Sequence, residues 1–450
     1  MFKIASVFLL CALIFFAAPV RADIPVHCLY SNITNGDQGA VWRLEIAEHP
    51  LEEAAVRRAD ACSNFQATTY REFHLIIDNG VPVATDMTSK KKYTFSMIYD
   101  EGVIIYLEDR TIYWFLHYSP DPHNEGKFIS DCTKSDGRGY QVMNEVGTGY
   151  TCVKPYMVSN TNGPSTVETT MESKKAGQKS LAMSFSNKAA QQTFDPARLA
   201  DLPEHHFLED TLTLGLNGRS QGQCGSCHQF SQSNQMSLLS TKAIGEEVII
   251  STQHMVEIAG IAEGCDGGMP ISSRFFAQAY GVVEQEHLGY LWQRVGANIP
   301  NTRRHFVKNV KYIGDYYQAC TNGIDCEKLI MEEIVAGRPV EVSLAVPMDL
   351  YYYNSDVPYP HDVTPTNDLE WVEVGHSVLL NGYGTTEDGI PYWVITNSWG
   401  GHWNIKNKVV MNDGSIEDGR GMIKIDRRES IAKLAITSLP VAAEFGGVDV

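Results

Sequence analysis

Basic side chains are the scarce ones in this sequence. Its 450 residues carry 36 Lys and Arg against 54 Asp and Glu, a formal charge of −18. That deficit argues against nucleic acid as a partner, because phosphate recognition rests on clustered Lys and Arg. Long apolar runs are scarce too. Ile4 to Val20 is the one run that approaches spanning length, so no other segment is expected to cross a bilayer. It follows the basic start Met1-Phe2-Lys3 and ends at Val20-Arg21-Ala22, a small-residue cleavage site. Residues 1–22 therefore read as a secretory signal peptide rather than a membrane anchor, and no stable span is expected once it is removed. The expected location is the secretory pathway, ending in a lysosome-like acidic compartment or outside the cell. Metal-ligand patterns are also few. The adjacent His205 and His206 read as solvated side chains, and no metal or organic cofactor is expected.

Against this background Gln221-Gly222-Gln223-Cys224-Gly225-Ser226-Cys227-His228-Gln229-Phe230 stands out. Cys227 is followed by Phe230, Met236, Leu238 and Leu239, enough to seat a helix on a core, with Gly245 as its stop. A thiol at a helix N-terminus feels the positive end of the helix dipole, which favours the thiolate. Gln221 precedes it by six residues, where its amide could donate to an oxyanion beside the sulfur. The same stretch is a CxxC, so a redox pair, half of a zinc site or a structural disulfide competes. Two distant stretches shift the balance. One is Val374-Gly375-His376-Ser377-Val378-Leu379-Leu380-Asn381-Gly382-Tyr383-Gly384; the other is Tyr392-Trp393-Val394-Ile395-Thr396-Asn397-Ser398-Trp399-Gly400. A cysteine nucleophile needs a base, and the base needs an orienting group. Cys, His and Asn in that order supply all three.

On these motifs the chain resembles the papain family of cysteine proteases over roughly residues 202–440, and within it the dipeptidyl peptidase branch. The resemblance implies that Cys227 is the nucleophile, His376 the base, Asn397 its orienter and Gln221 the oxyanion donor, with Trp399 shielding the His–Asn bond. Glu263-Gly264-Cys265-Asp266-Gly267-Gly268 is similar to the family's second cysteine motif. It implies a Cys224–Cys265 disulfide and a cleft lined by Gly267 and Gly268. Ten cysteines less Cys11 of the signal leave nine, an odd number that implies one free thiol in an oxidising compartment. Pairing the other eight leaves Cys227.

Residues 23–155 are expected to form a separate all-β domain. Lys92 to Leu107 is β-rich with a turn at its centre, and Thr111 to Tyr118 is a further strand. Strands at short intervals with four cysteines suggest an antiparallel barrel or sandwich, and sequence alone allows three pairings of the four. The start Asp23-Ile24-Pro25-Val26-His27-Cys28 resembles the exclusion domain of the dipeptidyl peptidase branch. That likeness implies Cys28–Cys132 and Cys62–Cys152 disulfides, and a domain that blocks the far end of the cleft. It also implies that Asp23, exposed as the first residue by cleavage after Ala22, captures the free α-amino group of substrates by a charge-assisted contact. Asn32-Ile33-Thr34 is a glycosylation sequon.

Residues 156–201 are polar and poorly patterned, and read as a linker or propeptide. The peptidase domain is expected over 202–450, an α+β fold with a helical left lobe and a β-barrel right lobe. Thr252 to Ile258 after the N-cap Ser251, Pro270 to Tyr280, and Lys328 to Val335 read as helices, and Pro339 to Val346 as a strand. Cys320 and Cys326 enclose a short loop and read as a local disulfide. Tyr351 to Asp368 reads as a surface loop. Members of that branch hold a chloride near the second substrate pocket; by the resemblance Tyr312 matches its tyrosine ligand, while Ile271 stands where the branch has another tyrosine. The branch also assembles as a homotetramer, so the resemblance extends to that. Three departures stand out: His228 after the nucleophile, Asn404 after Trp403, and an insertion over roughly 404–417. The expected activity is removal of dipeptides from free N-termini. The competing expectations are a papain-type endopeptidase and an inactive peptide-binding protein.

Overall fold

A computed structural model of the chain describes residues 28, 30–35, 38–56, 58, 60–79, 81–98, 101–123, 127–159, 166–170, 201–258, 264–314, 326–346, 349–359, 374–428 and 440–449. The expected signal peptide, Asp23, Cys320 and part of the expected surface loop after Tyr359 lie outside these residues.

The first region is built by alternation. In β1 (Ala40–Pro50) the side chains of Ala40, Trp42, Leu44 and Ile46 are buried, while Val41, Arg43 and Glu45 between them are only half-buried. That is the period-two pattern of a strand with one face on a core. Seven further strands follow: β2 (Ala67–Asp78), β3 (Val81–Asp86), β4 (Lys92–Ile98), β5 (Gly102–Tyr106), β6 (Arg110–Pro120), β7 (Lys127–Met143) and β8 (Tyr150–Ser159). Each is antiparallel to its neighbours in the order β6-β5-β4-β3-β2-β1-β8-β7, and β6 also pairs with β7. That last pairing closes eight strands into a barrel and removes its edges. Between the two expected architectures, barrel or sandwich, the barrel is the one formed. β9 (Thr166–Thr170) adds to β7 from within the stretch that looked unpatterned. Cys28–Cys132 and Cys62–Cys152 are the disulfides of this region, as the resemblance implied.

The barrel shares its core with the segment that follows. Trp42, Trp114, Tyr113 and Tyr140 belong to one apolar cluster with Phe275, Phe276 and Val307. Tyr113 stacks on Phe275 with ring centroids 5.0 Å apart. Around that stack, Gln278 Nε2 donates to the Met143 carbonyl at 2.7 Å and the Tyr280 hydroxyl to the Leu51 carbonyl at 2.9 Å. Glu53 meets His254 at 2.9 Å and Arg304 at 2.8 Å. An apolar stack ringed by satisfied polar bonds seats the barrel on the next region in one orientation.

That region has two lobes. The left lobe holds the helices Cys227–Ile244, Thr252–Val256 and Pro270–Tyr280. The first and third span the stretches the sequence signals, while the second ends at Val256, two residues short of the expected Ile258. Gly245 takes the left-handed conformation at φ 78 that stops the first helix, Ser251 accepts from the His254 N–H at the start of the second, and Pro270 opens the third. The right lobe is a sheet in the order β11-β12-β19-β13-β14-β15-β18. Its strands are β11 (Val282–Val283), β12 (Arg304–Tyr312), β13 (Val340–Ala345), β14 (Val374–Thr385), β15 (Pro391–Thr396), β18 (Met422–Asp426) and β19 (Val441–Asp449), with β10 (His206–Phe207) paired to β14. The helix Cys326–Val335 covers one face of this sheet, placing Ile330, Met331 and Ile334 in one cluster with Val340, Val342 and Leu344. The insertion after Trp403 folds as a hairpin of β16 (Lys408–Val410) and β17 (Ile416–Asp418). Together these elements form the expected α+β architecture, a two-lobed peptidase-like fold preceded by an all-β barrel.

Candidate active site

Cys227 opens the left-lobe helix, and His376 lies on β14 of the right lobe. Backbone bonds hold the loops around them together. The Gln221 N–H donates to the Ser398 carbonyl at 2.8 Å and the Gly400 N–H to the Arg219 carbonyl at 3.0 Å. The disulfide Cys224–Cys265 and the Gly225 N–H to Cys265 carbonyl bond, 2.8 Å, fix the loop before Cys227. This bond makes a redox pairing of Cys224 with Cys227 incompatible with the structure. Cys227 is the free cysteine among the described residues. Cys326 is also disulfide-bonded, and its expected partner Cys320 is outside the described residues.

The imidazole is held by its far nitrogen. His376 Nε2 lies 2.7 Å from Asn397 Oδ1. The same oxygen accepts the Ser398 N–H at 2.8 Å, which fixes the amide with its oxygen toward the ring. An acceptor at Nε2 requires that nitrogen to carry the proton, so Nδ1 is left as the basic nitrogen of the neutral ring. Trp399 stacks over His376 with centroids 4.9 Å apart and excludes water from the His–Asn bond. Tyr351 stacks on Trp399 at 4.8 Å, and Trp403 meets it edge-on at 5.1 Å.

Gln221 is buried beside them. Its Oε1 accepts from the Ser398 hydroxyl, while its Nε2 donates to the Cys224 carbonyl at 3.1 Å and keeps a second hydrogen. Tyr290, which the sequence reading passed over, donates its hydroxyl to the Gln221 carbonyl at 2.9 Å and accepts from Ser226 Oγ at 2.7 Å. A tyrosine in a loop without periodicity gives no sequence signal of that role. His228 is buried inside the helix rather than facing solvent.

The electrostatics depart from one expectation. The helix N-terminus was expected to lower the Cys227 pKa, but burial pushes the thiol up to about 11, and backbone N–H groups of Ser377 and His228 offset this only in part. Burial likewise pushes His376 down to about 4, against the Asn397 bond that raises it. Each charge alone is disfavoured in the buried site, so the two groups change charge together rather than singly. Moving the proton from sulfur to Nδ1 creates both charges at once, and each then compensates the other. The arrangement can therefore deliver a thiolate and an imidazolium acid together.

Gly267 and Gly268 have φ of 103 and 142, a left-sided backbone that glycine adopts without strain. Beside them a cleft of about 860 Å³ runs between barrel and left lobe, lined by Tyr118, Arg138, Gln223, Cys265, Asp266 and Trp292 among others. Asn32 is half-buried in the short helix Tyr30–Ile33, and Thr34 of its sequon is buried. Tyr312 is buried on β12 and Ile271 in the Pro270 helix. Asp23 falls outside the described residues, so its place relative to the cleft is not part of this geometry.

Comparison with known proteins matches two family models. Residues 216–427 match the model of papain family cysteine proteases, and residues 23–154 that of the cathepsin C exclusion domain. Cathepsin C of Schistosoma mansoni is 30% identical over 194 residues, which is 41% of this chain and 41% of that protein. Pro-cathepsin H of Medicago truncatula is 30% identical over 187 residues, 41% of this chain and 50% of that protein. The chain thus spans half or less of the length of these relatives. Among solved structures, bromelain from Ananas comosus in complex with the E64 inhibitor is similar at 18% identity, a TM-score of 0.40, and 54% of this chain against 99% of that one.

Proposed function

We propose that this chain, which resembles papain family cysteine proteases and the cathepsin C exclusion domain, is a cysteine protease that removes dipeptides from the free N-termini of peptides and proteins. The observation that carries this reading is the pairing of an exclusion domain with a cysteine–histidine–asparagine site in one chain. The barrel and the left lobe share one apolar core, so the added domain is a fixed wall of the cleft rather than a tethered module.

In the reaction Cys227 gives its proton to His376 Nδ1, and the thiolate attacks the carbonyl carbon of the scissile peptide. The oxyanion accepts the Cys227 backbone N–H and the second Nε2 hydrogen of Gln221. His376, held by Asn397, delivers its proton to the leaving nitrogen as the carbon–nitrogen bond breaks, which leaves a thioester on Cys227. His376 then takes a proton from water, hydroxide adds to the thioester, and the dipeptide acid leaves as the sulfur regains its charge. Gly267 and Gly268 line the cleft for the substrate backbone, with Asp23 as the carboxylate that takes the substrate's ammonium group.

The remaining assignments are proposals of the same kind: exclusion domain 23–155, linker or propeptide 156–201 and peptidase 202–450; residence in a lysosome-like compartment or secretion; glycosylation at Asn32; and assembly as a homotetramer. Papain-like cathepsins with disulfides belong to oxidising, secretory compartments. Chloride has no step here. Ile271, at the position expected to supply a second donor, is apolar and offers an anion no hydrogen bond.

The test is product mapping on a long peptide with the processed protein and its Asp23→Asn variant. Sequential release of dipeptides, strongly weakened by the variant, supports the reading. Internal cleavage unaffected by the variant makes the protein an endopeptidase, and no cleavage by either makes it a binding protein.

A further inference from the structure

Behind the Cys227–His376 pair lies a buried ionic chain that the mechanism does not use. Arg274 of the Pro270 helix and Glu341 of β13 are both fully buried, with Nη1 and Oε2 3.5 Å apart. Ser377, the residue after His376, donates its hydroxyl to Glu341 Oε1. Arg274 Nε donates to Gln235 Oε1 at 2.7 Å, and Gln235 Nε2 donates to the Pro339 carbonyl at 2.7 Å. The chain thus joins two left-lobe helices to two right-lobe strands beneath the site. It is incompletely satisfied, since Glu341 Oε2 and Arg274 Nη2 have no hydrogen-bond partner. A buried carboxylate left in that state is poised to exchange its charge for a proton.

The strand register places the chain against the nucleophile. Ser377 pairs with Ser343, and Glu341 lies two residues away on the same strand, so the two side chains are diagonal neighbours on one sheet face. Val340, Val342 and Leu344 alternate with them toward the Cys326–Val335 helix, which leaves its acidic and basic residues on the far side of the sheet. The groups facing Glu341 are Arg274 from the Pro270 helix, Ser377 from β14, and Cys227 from its own helix, whose thiol feels the Glu341 charge. From β19 the paired residue is the apolar Val441. Ser377 also points its backbone N–H at the Cys227 sulfur. The Glu341 charge raises the Cys227 thiol further, beyond what burial does. An ionised Glu341 therefore opposes loss of the proton from the sulfur, and a neutral one removes that opposition.

We propose that Arg274, Glu341 and Ser377 are positioning residues for the Cys227–His376 pair, and that the charge on Glu341 sets the alkaline limit of its reactivity. This rests on the reading of Cys227 as the nucleophile. With Glu341 neutral the thiolate pair forms; with Glu341 ionised it is suppressed. The device confines reactivity to acidic surroundings by a group that touches neither substrate nor reacting atoms.

The test is the rate of Cys227 alkylation by iodoacetamide between pH 5 and 8, which does not depend on substrate specificity. The wild type is expected to lose reactivity as the pH rises through the ionisation of Glu341. Glu341→Gln keeps an acceptor for Ser377 without the charge, and is expected to move that limb up by about one pH unit or more. Ser377→Ala removes the bond that favours ionised Glu341 and moves the limb in the same direction, which keeps the test open if the first variant does not fold. A purely structural role lowers rates without moving the limb. Wild-type limbs in both variants overturn the proposal while leaving the protease reading intact; a Cys227 inert at every pH overturns both.

Discussion

His376 and Asn397 share one hydrogen bond, 2.7 Å from Nε2 to Oδ1, and that bond decides which nitrogen of the ring is basic. Replacing Asn397 by Ala frees the imidazole to rotate and to exchange tautomers. The expected outcome is a fall in kcat on the order of 100-fold with a smaller change in KM, the loss typical of a misplaced catalytic group. Steady-state kinetics on a small amide substrate reads it.

Gln221 is fixed at both ends of its amide, by Ser398 on the oxygen and the Cys224 carbonyl on the nitrogen. Gln221→Ala removes one preorganised oxyanion donor and is expected to lower kcat by about 100- to 1,000-fold. Alkylation of Cys227 by a small reagent should continue, because that reaction forms no oxyanion. Loss of both would assign Gln221 to the loop's structure instead.

The Tyr113–Phe275 stack is the centre of the seam between barrel and left lobe. Phe275 is fully buried, so Phe275→Ala should destabilise the protein by about 3–5 kcal/mol through lost transfer energy and the cavity left behind. Phe275→Leu fills more of the space and should cost less. Denaturant unfolding with tryptophan fluorescence measures both.

Stability should also report the charge on Glu341. Burial raises its pKa from 4.5 to about 7, against the opposing effects of Arg274 and Ser377. A raised carboxylate pKa contributes stability that is complete below the unfolded value and is lost as the pH climbs through the folded one. The wild type should therefore lose ground against Glu341→Gln between about pH 4.5 and 7, by an amount on the order of 3 kcal/mol. Using the difference between the two proteins removes His376, whose lowered pKa acts with the opposite sign. Thermal unfolding at a series of pH values gives the comparison.

The parts of this structure that the sequence announces are those with local chemistry. The start of a helix at Cys227, its stop at Gly245 and the N-cap at Ser251 each follow from the residues at that point. The expected Cys, His, Asn and Gln gather at one site because each sits in a distinctive motif. What stayed hidden is set by distant pairings. Closure of the barrel by β6 and β7, and the place of β19 between β12 and β13, depend on contacts with no local signature. Glu341 in an alternating strand resembles a solvent-facing charge, and only the packing of the Pro270 helix shows that its face is buried. Gln229, Gln232 and Gln235 likewise weaken the apolar pattern of the Cys227 helix, although all three are buried and hydrogen-bonded to other segments.

The most direct test of the account is hydrolysis, at mildly acidic pH, of a dipeptide fluorogenic amide with a free N-terminus beside its N-acetylated twin. The account predicts turnover of the free amine and none of the acetylated substrate, with activity abolished by Cys227→Ala. Equal turnover of both would mean a cleft open at its far end, and would contradict the dipeptidyl peptidase assignment.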